Sequence, residues 1–335
     1  MTTRGEDRRG MGGVRRIGLG VLAALLLSPT THEAVAVAAA APRVVATIAV
    51  GTGPVGVAID PAAHRAYVVN EFGNSVSVLD TRRNAVVATA GVGNEPGGVA
   101  VNPATRHVYV VNSKSNSVSV LDTRRNAIVA AIAVGSNPVS VAVDQAHGRA
   151  YVTNGDSNSV SVIATRSDVV LATISVGNNP YGVAIDQARH RVYVTNRDDN
   201  TVSVIDVPSN AVVATIGVGQ NPIGVAVSQD AHRAYVTNYD NKSVSVIDTC
   251  GNAVVATIGV DNAPYGVAVA QARDRAYVTN YGSTDVSVLD TRSDAVVATI
   301  DVGNDPSGVV VDPTTDRAYV VIYYSNSVSV IDTRP

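Results

Sequence analysis

The sequence predicts an all-β fold: a seven-bladed β-propeller with four antiparallel strands per blade. Three observations carry that prediction. Tyr67, Tyr109, Tyr151, Tyr193, Tyr235, Tyr277 and Tyr319 recur at a constant interval of 42 residues. Each interval contains four short apolar runs separated by Gly, Pro, Asn and Asp turns. Each kind of run occurs seven times. A period of this length belongs to a whole supersecondary unit, and four strands in about forty residues is the size of a propeller blade. A unit so small cannot bury a core alone, so neighbours must stack. Solenoid rungs are usually shorter.

The first unit shows the elements in order. Gly56 to Asp60 reads GVAID, a short run rich in β-branched residues, followed by the polar turn PAAHR. Ala66 to Asn70 reads AYVVN and is followed by EFGN. Ser75 to Asp80 reads SVSVLD and has the strict alternation of a strand with one buried face. After TRRNA comes VVATAGVG, whose Val residues outweigh the weak strand preference of Ala. No segment keeps a helical period. Two framework positions depart locally: Ala164 stands where Asp80 and Asp122 are expected, and Ile322 where Asn70 is expected.

The ends predict how the ring closes. The repeat region opens with a run of the fourth type, Val44 to Val50, and ends with one of the third type, Ser327 to Asp332. Pairing strand 44–50 with the last blade completes it and removes two open edges. The propeller then occupies 43–335 and leaves no room for a second domain.

Residues 1–41 are of a different composition. Arg4, Arg8, Arg9, Arg15 and Arg16 precede the apolar run Ile17 to Leu27, and small residues follow up to Ala41. That order predicts a secretory signal peptide cleaved between Ala36 and Ala41. The apolar run is about half a bilayer-spanning length, so no membrane span is expected in the mature chain. The expected location is secreted, periplasmic or on the cell surface. Cys250 is the only cysteine, so no internal disulfide is possible. The formal net charge is −3, with 16% charged residues. The arginines after the third strands, such as Arg82, Arg124 and Arg292, are spread around a rim and not clustered. This pattern argues against nucleic acid as a partner.

Topology sorts the remaining chemistry. The loop before the first strand of a blade and the loop between its second and third strands open on one face. Of 13 Tyr and one Phe, seven are the framework tyrosines. All the others fall in loops of that face: Phe72, Tyr181, Tyr239, Tyr265, Tyr281, Tyr323 and Tyr324. Arg197, Asp198, Asp199 and Asp240 join them. Exposed aromatics concentrate in binding surfaces because they offer much contact area at low ordering cost. These eleven residues are therefore the candidate binding face. Glu71 and Asp156 are further acids there. The opposite face carries His64, His107, His147, His190 and His232 in turns, spread too widely for metal ligands. Neither a catalytic set nor a cofactor motif is evident.

The framework run carries a resemblance. Tyr151 to Asn154, Tyr193 to Asn196, Tyr235 to Asn238 and Tyr277 to Asn280 read YVTN; Tyr67 to Asn70 and Tyr109 to Asn112 read YVVN; Tyr319 to Ile322 reads YVVI. With the flanking P-x-G-V-A-V and S-V-S-V-I-D, this resembles the YVTN-repeat β-propeller family of surface-layer and YncE-like proteins. The likeness covers all seven units. It implies an exported binding or adhesion module, and some relatives are associated with DNA binding. Related seven-bladed folds include lactonases. The family supplies no catalytic residues to place on this chain. The expected function is thus non-catalytic binding of a protein, a glycan or another cell-envelope component by a monomer. The alternatives are a lactonase-like hydrolase at the axial mouth and a purely structural surface protein.

Overall fold

A computed structural model describes residues 42–334. The segment read as a signal peptide lies outside the described residues. Among these residues, twenty-eight strands form seven four-stranded antiparallel sheets. In the first blade the order from the axis outward is β2 (Pro54–Asp60), β3 (Arg65–Asn70), β4 (Ser75–Asp80) and β5 (Ala85–Gly91). The next five blades repeat it. The only helical element among the described residues is a 3₁₀ turn, Gln271–Arg273.

The seventh blade closes as expected. Its strands β26 (Pro306–Asp312), β27 (Arg317–Ile322) and β28 (Ser327–Asp332) are completed by β1 (Arg43–Ala49), which pairs antiparallel with β28. The strand begins and ends one residue earlier than the sequence suggests. Val50 still donates its N–H to the Asn326 carbonyl at 2.9 Å.

The core lies between blades and not within them. Tyr67, fully buried, packs with Val69, Val76 and Val78 of its own blade and with Val108, Val110 and Leu121 of the next. The remaining interfaces repeat this pattern. Several framework tyrosines also tie blades by their hydroxyls, as Tyr109 does by donating to the Thr165 carbonyl at 3.2 Å. A bulge recurs between third and fourth strands, at Val78/Leu79 in the first blade, and adds the local twist a blade needs.

The Asn that ends the framework run is a buried clamp. Asn70 Nδ2 donates to the hydroxyls of Ser75 and Ser77 at 3.1 and 3.0 Å, and the same pattern returns at Asn112, Asn154, Asn196 and Asn238. The alternating serines are therefore anchors as well as spacers. Where Ala164 replaces the usual Asp, Arg149 turns to the next blade and donates to the Val207 carbonyl and to Asn210 Oδ1.

The Thr that separates YVTN from YVVN blades joins one blade to the next. Thr237 Oγ1 accepts from the Gly224 N–H at 2.8 Å and donates to the Tyr265 carbonyl at 2.7 Å. Thr153, Thr195 and Thr279 make the same bridge to the carbonyls of Tyr181, Ile223 and Ser307. In two of the three Val-bearing blades serines stand in: Ser113 donates to the Pro138 carbonyl and Ser307 to that of Val55. Thr237→Val should therefore cost about 1–3 kcal/mol, the range for a buried donor left unpaired. Urea denaturation checks this, and an unchanged midpoint would contradict it.

Candidate binding site at the axial mouth

Strand pairing places every off-framework aromatic on one face, and most of them touch. Each first strand begins with Pro, and the residue after it stands at the rim of the axis. Around the ring these residues are Val55, Gly97, Val139, Tyr181, Ile223, Tyr265 and Ser307. Tyr181 and Tyr265 flank Ile223, itself 3% exposed, and their hydroxyls meet in a short hydrogen bond. Their rings stand edge to face with centroids 6.0 Å apart. From Tyr265 the series runs to Tyr281 at 5.7 Å, Tyr323 at 6.2 Å and Tyr324 at 5.1 Å, with Phe72 on the other side of Tyr323 at 5.9 Å. These separations suit favourable aromatic pairing.

The rings border a cavity of about 250 Å³ lined by Glu71, Tyr181, Arg197, Tyr239, Tyr265, Tyr281 and Tyr323, with Val55, Ile223 and Ser307 below. A second cavity of about 300 Å³ runs beneath it along the axis, between the first strands. The five lining tyrosines are half-buried, whereas Phe72 and Tyr324 are largely exposed.

Two charges line the mouth. The Arg197 guanidinium lies 5.9 Å from the centre of the Tyr181 ring, and its Nε donates to Asn221 Oδ1 at 2.7 Å. Glu71 accepts from the Tyr323 hydroxyl at 3.2 Å. Burial raises the Glu71 carboxyl above its ordinary range, against the lowering effect of that hydrogen bond. Burial likewise pushes the Tyr323 hydroxyl up to about 12 and lifts Tyr181, Tyr265 and Tyr281. These phenols stay protonated near neutrality and serve as donors.

The acids of the predicted face divide. Asp198, Asp199 and Asp240 lie in the loops and engage asparagines. Asp199 accepts from the Asn178 backbone N–H at 2.7 Å, Asp198 from Asn179 Nδ2 at 3.3 Å and Asp240 from Asn221 Nδ2 at 3.2 Å. None of the three lines the cavity. Glu71 does, and its position in the loop after the second strand of the first blade was the available signal. The tyrosine pairing across Ile223 had no such signal, because it joins residues 84 apart.

The opposite face is built from turns. His64, His190 and His232 occupy left-handed backbone positions there. Cys250 is exposed, and Arg189 Nη2 donates to its Sγ at 2.9 Å. Among the described residues, no three His, Cys, Asp or Glu side chains gather as metal ligands. Nor is any helix among them long and apolar enough to cross a membrane.

Comparisons with known proteins agree with this architecture. Residues 184–276 match the model of the YNCE-like beta-propeller, and residues 32–169 match that of the Lactonase, 7-bladed beta-propeller. No curated protein matches the chain. Among solved structures, a chain of Kuenenia stuttgartiensis Hydrazine Synthase superposes with a TM-score of 0.76 at 24% identity, covering 83% of this chain and 95% of that one. At that identity the likeness speaks for the fold alone. With seven Tyr-centred repeats closed into one ring, the chain is a seven-bladed β-propeller, similar over residues 184–276 to the YNCE-like beta-propeller.

Proposed function

We propose that this propeller is an exported, non-catalytic recognition module that binds a component of the cell envelope, or a protein or glycan outside it, at its aromatic mouth. The observation that carries this reading is the continuous series of rings from Tyr181 to Tyr324 around one cavity. Tyrosines that merely decorate turns would scatter over seven blades. These gather in blades four, six and seven, with Tyr239 of blade five in the lining. Export is inferred from the basic, apolar and small-residue order of residues 1–41.

The test is retention of the purified chain on isolated cell envelopes. Tyr239, Tyr281 and Tyr323 lie in loops outside the inter-blade cores, so a triple change to Ser should leave melting nearly intact. We expect retention to fall at least about tenfold, the scale of losing aromatic hot spots. Equal retention would overturn the proposal.

A second reading has one observation in its favour. The lactonase match spans Glu71, and a carboxyl raised by burial suits a general base. Glu71 would then take a proton from water attacking a lactone carbonyl, with Arg197 facing the developing negative charge. Lactone opening by the intact chain, abolished in Glu71→Gln, would establish this activity in place of the non-catalytic one.

A further inference from the structure

Among the described residues, none neutralises the charge of Arg197. No carboxylate lies within ion-pair distance of it among the described residues. The nearby acids are held elsewhere, Asp198 and Asp199 by Asn179 and Asn178, and Asp240 by Asn221. Asn221 is a neutral bridge: its amide nitrogen serves Asp240 while its oxygen accepts Arg197 Nε. The guanidinium is thus oriented by one bond, flanked by the Tyr181 ring, and left with its two terminal amino groups without an acceptor among the described residues. A half-buried cation kept this way costs solvation that a ligand anion would restore. The free fork fits a planar carboxylate through two parallel hydrogen bonds.

The rest of the cavity narrows the choice. Glu71 supplies an acceptor, the Tyr281 hydroxyl supplies a donor, and Tyr265 and Tyr281 supply aromatic surface. At about 250 Å³ the space is smaller than the roughly 300–1,000 Å³ that engulfs a drug-sized ligand, so one ring fits. The loops of this face carry Glu71, Asp156, Asp198, Asp199 and Asp240 in excess over Lys242 and Arg197, with Glu95 paired to Lys114, and that acidic surplus repels a chain of phosphates. A cationic ligand would meet Arg197.

Resting on the recognition reading above, we propose that the mouth binds a sugar ring bearing a single carboxylate, free or as an acidic unit of an otherwise neutral glycan. The carboxylate sits on the Arg197 fork, a hydroxyl donates to Glu71, and the ring lies against the tyrosines.

Calorimetry and ligand-observed NMR on the full chain test this at low salt. The probes are glucuronate, methyl glucoside, glucosamine, benzoate and a short thymidine oligonucleotide. We expect glucuronate to bind, Arg197→Gln to weaken it at least about tenfold and Arg197→Lys to fall between them, since lysine keeps the charge and loses the fork. Unchanged affinity in Arg197→Gln would overturn the proposal. So would methyl glucoside or glucosamine binding as well as glucuronate, benzoate matching it, the oligonucleotide surpassing it, or no binding of glucuronate at all. If any of these occurs while the tyrosine triple variant still loses envelope retention, the ligand class is wrong and the recognition face stands. If retention is also unaffected, both fail.

Discussion

A chain that begins at Val50 is expected to lose the single cooperative melt of the ring, whereas one beginning at Pro42 keeps it. Without β1 the seventh blade has three strands. The β28 edge that paired with it from Asp332 to Ser327 is then open. Ile48, 5% exposed, leaves a core it shares with Tyr319, Val328 and Val330, and Ala46 leaves with it. Burial of one such Ile stabilises by about 1.5–3 kcal/mol, and each lost backbone hydrogen bond removes about 0.5–1.5 kcal/mol more. Over a six-residue register the total approaches the roughly 5–15 kcal/mol that holds a whole domain. The loss is also topological. Among the described residues, β1 is the only strand whose blade partners come from the other end of the chain, so without it the first and seventh blades meet only across their faces. Hydrogen exchange should show β26 to β28 losing protection first. Addition of a synthetic 43–50 peptide should restore it. An unchanged melting temperature in the shortened chain would refute this account of closure.

The same fragment shows why the closure was legible in the sequence and the mouth only partly so. Blade number, strand order and closure follow from repetition and from the residue types at each end. These are local patterns, and the physics that reads them is local as well. The face of each off-framework aromatic was legible too, because antiparallel connectivity fixes which loops share a face. Distances across the ring were not. Tyr181 and Tyr265 meet because the first strands of blades four and six flank that of blade five, which carries Ile223, a tertiary consequence of ring curvature. Asp198, Asp199 and Asp240 lie on the predicted face, yet asparagines in the entry loop of the same blade engage them. A Thr-to-Val change distinguishes the YVVN units of the framework run from the YVTN units. It marks where the rim is pinned: Thr153, Thr195, Thr237 and Thr279 hold the carbonyls of Tyr181, Ile223, Tyr265 and Ser307, on the side of the ring that carries the mouth.

Gly182→Val is expected to be the most damaging single substitution at the axis. Gly182 stands in a ring of near-equivalent positions, Gly56, Gly98, Ser140, Gly182, Gly224, Gly266 and Gly308. The constraint is steric and needs no unusual backbone angle. A Cβ on Gly182 would lie 2.3 Å from the Ile223 carbonyl oxygen, and one on Gly224 would lie 2.4 Å from that of Tyr265. The obstacles are backbone atoms of the next first strand, so no rotamer change relieves them. Separation of the strands is opposed by Thr195, whose hydroxyl accepts from the Gly182 N–H and donates to the Ile223 carbonyl, both at 2.8 Å. Gly182→Ala should cost at least the about 1–3 kcal/mol typical of overpacking, and the valine more. Gly217, on an outer strand, would meet nothing within 4 Å. Gly217→Ala should therefore be neutral or stabilise by up to about 1 kcal/mol through lower unfolded-state entropy. The two glycines separate a packing requirement from a general preference for glycine, and equal denaturation midpoints for the two alanine variants would remove the packing argument. The damage should reach function as well. Displacement of Ile223 pushes apart the strands that carry Tyr181 and Tyr265, so the folded fraction of Gly182→Ala should bind more weakly at the mouth even where its blades remain intact.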